Sequence, residues 1–228
     1  MGNTVGNKLV SMPLKLSKKQ KDILIGTILG DACIESCKKE DRIQINHSDK
    51  QKDYVFWKYQ NLKEWTLSSP RRVGCKDKRT GKINWEWRFR TFSHPEFTQY
   101  KKIFYSGRKK IIPRNIKDLL VSPLSLAVWY MDDGKKRPDC RGAYLDTICF
   151  SKEEQTRLID CLRNNFQLVN TKLHWNGDGY HIYIPYISID RFKELIKDFV
   201  IPSLAYKLPY TRNDFLPKRQ KMVVQNPS

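Results

Sequence analysis

The chain has 228 residues, with 43 Lys and Arg against 24 Asp and Glu and a net charge of +19. That length holds one large domain or two small ones. The charge points to polyanionic partners, nucleic acid first, although a ribosomal protein, a DNA packer or a membrane-surface protein could carry it too, so motifs must decide. The six cysteines form no CxxC pair and the four histidines fall outside zinc-finger spacing, so the cysteines read as reduced thiols. No apolar stretch approaches the ~20 residues of a membrane span, and the first residues lack the apolar core of a signal peptide. The protein is expected in an intracellular, reducing compartment with no membrane partner.

Residues 1–13 read as an N-terminal extension. From Ser17 to Gly30 the spacing predicts a helix: Ser17 and Gln20 make an S-x-x-Q capping box, and Ile23, Leu24, Ile25, Ile28 and Leu29 follow. Arg42 to Asn46 alternates as a strand, and Tyr54 to Trp65 reads as a helix. Asn84 to Arg90 alternates more clearly, with Trp85, Trp87 and Phe89 assigned to the core and Asn84, Glu86, Arg88 and Arg90 to the other face. Pro95 to Tyr105 reads as a helix that closes the first half. Gly107, the basic triplet Arg108-Lys109-Lys110 and Pro113 then break periodicity across a linker at 106–121.

A second apolar helix follows, with Ser122 as cap, Pro123 at its first position and Leu124 to Met131 running to Asp132, Asp133 and Gly134. Ala143 to Phe150 and Tyr180 to Tyr186 are strand candidates, and Lys152 to Phe166 and Ile189 to Phe199 are helical. Beyond Pro217 a basic tail, 218–228, could add non-specific phosphate contact.

The signals of 14–105 recur in the same order in 122–217, the trace of an internal duplication. Each half reads helix, two strands, helix, two strands, helix, an α+β fold. The two leading helices are apolar on nearly every side, which suits burial at the centre. Gly26 and Gly30 allow close backbone approach in the first; Val128 and Asp132 stand at the matching positions of the second, so the axis between them is expected to be asymmetric.

Aligning LIGTILGDA (Leu24 to Ala32) with LAVWYMDDG (Leu126 to Gly134) puts an acid at the eighth position of each, Asp31 and Asp133, 102 residues apart. The pair resembles the two copies of the LAGLIDADG motif in single-chain, two-motif homing endonucleases. The motif order, the spacing and the closing segments KKIIPRN and IPSLAYKLPY extend the resemblance from about Leu14 to Leu216.

The resemblance implies two αββαββα half-domains about a pseudo-twofold axis, each with a curved antiparallel DNA-binding sheet, in a monomer that cuts both strands of a long asymmetric duplex target and leaves short cohesive 3′ ends. It implies that Asp31 and Asp133 hold divalent metal, Mg²⁺ with Mn²⁺ as a substitute and Ca²⁺ supporting binding without efficient cleavage, with backbone carbonyls of Gly30 and Asp132 completing the coordination. Lys110 and Lys207 match the closing segments, where a basic residue sits near each scissile phosphate. Asn46 and His174 match positions that order active-site water. The plainer readings are solvated lysines, and a turn for Asp132-Asp133. An acid at a helix C-terminus opposes the macrodipole, which favours a functional role for Asp31 and Asp133.

One face of an antiparallel sheet can read the major groove. Arg42, Gln44, Lys82, Asn84, Glu86, Arg88 and Arg90 are the first-half candidates, with Arg71, Arg72, Lys76, Lys78 and Arg79 as phosphate contacts and Lys172, His181 and Tyr183 in the second half. A solvated sheet face is the bland alternative. Two other functions fit the scaffold: an RNA-binding maturase that assists intron RNA splicing, and a non-cleaving DNA-binding protein. Neither needs both acids, whereas metal-dependent cleavage does.

Overall fold

Ser17 starts the first helix as its spacing predicts. In the computed structural model, which describes residues 14–215, its hydroxyl accepts from the Gln20 amide at 3.2 Å and its own amide donates to Gln20 Oε1 at 2.9 Å. The extension 1–13 and the tail beyond Pro217 lie outside the described residues.

The first half runs α1 (Lys18–Leu29), β1 (Cys33–Glu35), β2 (Arg42–Ser48), α2 (Lys52–Asn61), β3 (Arg71–Lys76), β4 (Ile83–Arg90) and α3 (Pro95–Phe104). A hairpin of β5 (Tyr105–Ser106) and β6 (Lys109–Lys110) and the short α4 (Ile116–Leu119) occupy the linker. The second half repeats the order with α5 (Pro123–Asp133), β7 (Gly134–Lys136), β8 (Ala143–Leu145), α6 (Lys152–Phe166), β9 (Lys172–Trp175), β10 (Tyr180–Ile184) and α7 (Tyr186–Ile196). The two sheets share one topology, β1-β2-β4-β3 and β7-β8-β10-β9, with every neighbouring pair antiparallel.

Of the boundaries that differ from the spacing-based expectation, two in the second half have clear local reasons. The strand beginning at Ala143 stops at Leu145, because the Phe150 amide turns back to the Thr147 carbonyl and Ser151 caps α6. The strand beginning at Tyr180 stops at Ile184, because Pro185, which has no N–H for a ladder, starts α7 three residues earlier than the expected Ile189. The core assignment also needs a correction at one position. Phe89 is buried and Trp87 packs edge-on against Phe56, but Trp85 is 45% exposed, with the Arg72 guanidinium 4.4 Å from its ring. The Ile83 end of β4 runs out past the helices that cover the rest of the strand.

The centre of the molecule is the α1–α5 contact. A Cβ on Gly26 would fall 2.4 Å from the Ser125 carbonyl oxygen and 2.7 Å from Val128 Cβ, and one on Gly30 would fall 2.4 Å from Asp132 Cβ. The helices are therefore unequal but complementary: each glycine of α1 receives the bulk that stands at its own matching position on α5. At Gly26 the obstacle is backbone, which cannot yield by rotating. Gly26→Ala is expected to cost roughly 1–3 kcal/mol by overpacking, read as a lower urea midpoint with an unchanged slope. An unchanged midpoint would show that the helices are not in such contact.

Candidate active site

Both motif helices end at one place. Asp31 follows Gly30, the C-cap of α1; Asp133 is the last residue of α5; and the Asp31 amide donates to Asp132 Oδ2 at 3.2 Å across the axis. The two acids sit in opposite electrostatic settings. Burial pushes the Asp133 carboxyl up, the charges of Asp31 and Asp132 push it further, to about 8, and Lys110 only partly opposes this. Burial would also raise Asp31, but a hydrogen bond from His47 and the nearby positive charges of Lys58 and Lys207 hold it below its ordinary value. The fold thus favours the charged form of Asp31 and, through burial and the neighbouring carboxylates, opposes that of Asp133, a donor set that suits an added cation.

This has a measurable consequence. Unfolded, Asp133 titrates near 3.8; folded, near 8. Between those values the folded protein holds a proton that the unfolded chain lacks, so Asp133 stabilises the fold in acid and that stability is lost as pH rises through about 8. A bound divalent cation would replace the proton. Added Mg²⁺ is therefore expected to raise Tm more near pH 8.5 than near pH 6, and Asp133→Asn should abolish the difference. Equal shifts at both pH values in the parent protein would contradict the assignment.

The lysines also follow the duplication. Lys110 Nζ donates to the Gly30 carbonyl at 2.6 Å, and Lys207 Nζ donates to the carbonyls of Asp132 at 3.0 Å and Met131 at 2.5 Å. Gly30 and Asp132 are matched residues, so each lysine caps the C-terminus of one motif helix, where a cation is favoured. Burial depresses both lysines below their ordinary values, and the three aspartates partly offset it. The carbonyls expected as metal ligands are thus the acceptors of these lysines.

Three site residues escaped the motif reading. Lys58, fully buried on α2, bonds both Asp132 oxygens at 2.7 and 3.0 Å and lies 3.2 Å from His47 Nε2; His47 Nδ1 in turn lies 3.3 Å from Asp31 Oδ2. Ligand atoms of Asp31, His47 and Asp132 lie within 4.8 Å of one another, as a metal site would require, but the Lys58 ammonium already supplies the cation for Asp132. The side chain of Asp132 is an anchor for a lysine. The third residue is Asp146, whose amide donates to the Asp133 carbonyl at 3.0 Å and whose charge raises Asp133.

The fold and this geometry can be set beside known proteins. Residues 21–192 match the LAGLIDADG DNA endonuclease family. The chain belongs to that family. It is 33% identical to a probable intron-encoded endonuclease 1 of Wickerhamomyces canadensis, covering 85% of each chain, and 30% identical to the cytochrome b mRNA maturase bI2 of Debaryomyces hansenii, covering 85% of this chain and 74% of that one. Among solved structures it is similar to the homing endonuclease I-WcaI bound to its DNA recognition sequence, with a TM-score of 0.84, 30% identity, and 92% and 95% of the two chains covered.

The two LAGLIDADG halves present different outer faces. In the first sheet, Arg42 and Arg90 share Glu35, while Asn46 and Arg88 share Glu86, so Asn46 is tied into the sheet network. Gln44 lies between Cys33 and Arg90 on this face, and Asn84 is exposed beside Cys75. Lys76, Lys78, Arg79 and Lys82 are exposed on or near the β3–β4 turn, Arg71 is exposed at the opposite end of β3, and Arg72 is held by Asp49 at 2.8 and 2.9 Å.

The second face is aromatic. Tyr144, His174 and Tyr183 cluster, with the Arg137 guanidinium 5.8 and 5.7 Å from the two tyrosine rings, and Lys172 is exposed at the edge. His174 bonds the Tyr144 hydroxyl at 3.0 Å, so Asp146 borders Asp133 where His174 was expected to serve. His181 is only 3% exposed and faces Asp146 at 3.4 Å, so its ring is not presented to a groove.

Proposed function

We propose that this chain is a site-specific double-strand DNA endonuclease that acts as a monomer, in a reducing intracellular compartment, on a long asymmetric target. One observation carries the reading: two acids from matched helix ends share a site with two half-buried lysines, and the charge of Asp133 is only partly offset by Lys110. Asp31 and Asp133 would hold Mg²⁺, with Mn²⁺ as a substitute and Ca²⁺ supporting binding without efficient cutting. Such an ion supplies an acidified water and neutralises charge on phosphoryl oxygens. Lys110 and Lys207, oriented by their carbonyl acceptors, present fixed positive charge where a scissile phosphate on each strand gains negative charge. The first sheet offers Arg42, Gln44, Asn84, Arg88 and Arg90 to base edges, and the second offers Tyr183 and Lys172. The charged and aromatic faces suit two unlike half-sites.

The test is selection of cut molecules from a random duplex library in Mg²⁺, with the ends sequenced. A single consensus cut once on each strand, with short 3′ overhangs, is expected. Affinity for the selected duplex in Ca²⁺ should fall steeply with salt, as phosphate contacts release counter-ions. Similarity to the proteins named cytochrome b mRNA maturase bI2 of Debaryomyces hansenii and Saccharomyces cerevisiae favours a second reading, binding of intron RNA. Tight binding of structured RNA by a protein that cuts no duplex would decide for it.

A further inference from the structure

Among the described residues, the network behind Asp31 is not repeated at the matched positions behind Asp133. Cys33 pairs with Gln44 in the first sheet and Lys135 with Tyr144 in the second, each two residues past its motif acid, so the residue matching His47 is Thr147. Helices α2 and α6 begin at Lys52 and Lys152, which sets Leu158 against Lys58. Asp132 itself matches Gly30. The site around Asp133 therefore has Thr147, Leu158 and, across the axis, Gly30 where the site around Asp31 has His47, Lys58 and, across the axis, Asp132.

The hydrogens of the network can be assigned. Lys58 has three protons and no lone pair, and two go to the Asp132 oxygens. The third faces His47 Nε2 at 3.2 Å, which must therefore be the acceptor nitrogen. That leaves the proton on Nδ1, aimed at Asp31 Oδ2. Tyr54 closes the site from the side: its ring lies 4.9 Å from that of His47 and its hydroxyl bonds the Val128 carbonyl. The side chain of Asp31 is 47% exposed, so without this donor nothing in the buried network would fix its rotamer. With Oδ2 engaged, Oδ1 is free to face outward.

We propose that His47 is a positioning residue for Asp31, held in the Nδ1–H tautomer by Lys58 and Asp132, and that cutting of one DNA strand depends on this network while cutting of the other does not. The inference rests on the nuclease reading and adds an inequality between the two strand cuts. A carboxylate oriented in advance loses less freedom on binding a cation or substrate, and removal of such an orienting partner typically costs 10–100-fold.

Two measurements test it on the full chain. The first needs neither metal nor DNA: ¹⁵N-histidine NMR, with only four histidines to assign, should show His47 protonated at Nδ1 and shifted by both Asp31→Asn and the paired swap Lys58→Met/Asp132→Leu. The second follows both end-labelled strands of a duplex that the parent protein has selected from a random library, in Mg²⁺. His47→Ala should slow one strand by about 10–100-fold and the other by less than about threefold, leaving a nicked intermediate. His47→Asn, whose amide N–H can stand in for Nδ1–H, should restore the slow strand, and the paired swap should slow the same strand as His47→Ala. Nε2–H protonation, His47 signals indifferent to Asp31→Asn, or equal slowing of both strands would overturn the proposal. A parent protein that selects and cuts no duplex overturns the nuclease reading instead, and the proposal falls with it.

Discussion

Asp31→Asn and Asp133→Asn are each expected to lower the cutting rate by on the order of 10³-fold or more while leaving target affinity equal or higher. Asparagine keeps the shape of the side chain but removes the negative charge that would hold a cation, and with it a charge that repels the phosphates. The two variants should differ in stability. Asp133→Asn removes a carboxyl whose ionised form the fold opposes, so it should stabilise the metal-free protein progressively as pH rises from about 4, reaching its full effect above about pH 8. Asp31→Asn removes a carboxylate that the fold favours, so it should destabilise the protein at neutral pH. Single-turnover cutting in Mg²⁺, binding in Ca²⁺ and unfolding against pH read the three effects separately. Cutting at the parental rate by either variant would place the chemistry elsewhere.

Asp31 and Asp133 were legible because helix and motif coincide. An apolar run long enough for a buried helix, a cap at its start and an acid at its end occur twice in one order, and each feature acts within a few residues of chain. The sheet alternation was legible for the same reason: Ile43, Ile45 and His47 share the buried face of β2. His47 stood there as the one polar member of that face, a signal the motif reading passed over. Tyr54 and Lys58, four apart on α2, lie on one side of their helix, but their partners are 74 residues away in sequence, across the pseudo-twofold axis. Burial of a lysine depends on that distant partner and leaves no local trace. The edge strands β3 and β9 were expected in number but not located, because their side chains are largely exposed and no apolar period marks them. His174 came from the family resemblance and not from a local signal; the second half is shorter in its strands and aromatic on its outer face, and the structure places His174 in a tyrosine cluster.

Lys58→Ala is expected to cost about 3–5 kcal/mol, more than any surface charge change in this chain, because it strands the fully buried Asp132 carboxylate and leaves His47 Nε2 without its donor. Asp132→Leu should cost a similar amount by leaving the Lys58 ammonium buried alone. Lys58→Met/Asp132→Leu removes both charges at nearly constant volume. Since the attraction of a buried pair mainly offsets its own desolvation, the double variant should lie within roughly 1 kcal/mol of the parent. The coupling in this cycle should then be several kcal/mol, far above the ~0.5 kcal/mol of independent sites. The two residues come from different halves of the duplication, so the pair acts as a specificity device at the α1–α5 contact: Asp132 fits only where Gly30 leaves room and only where Lys58 awaits it. A lone α5 could pack on α1 in other registers with similar apolar burial, but each would leave that carboxylate in the core unpaired. Urea unfolding of the four proteins decides the matter, and near-additive costs for the two single changes would show that the pair is solvated in solution and does not set the register.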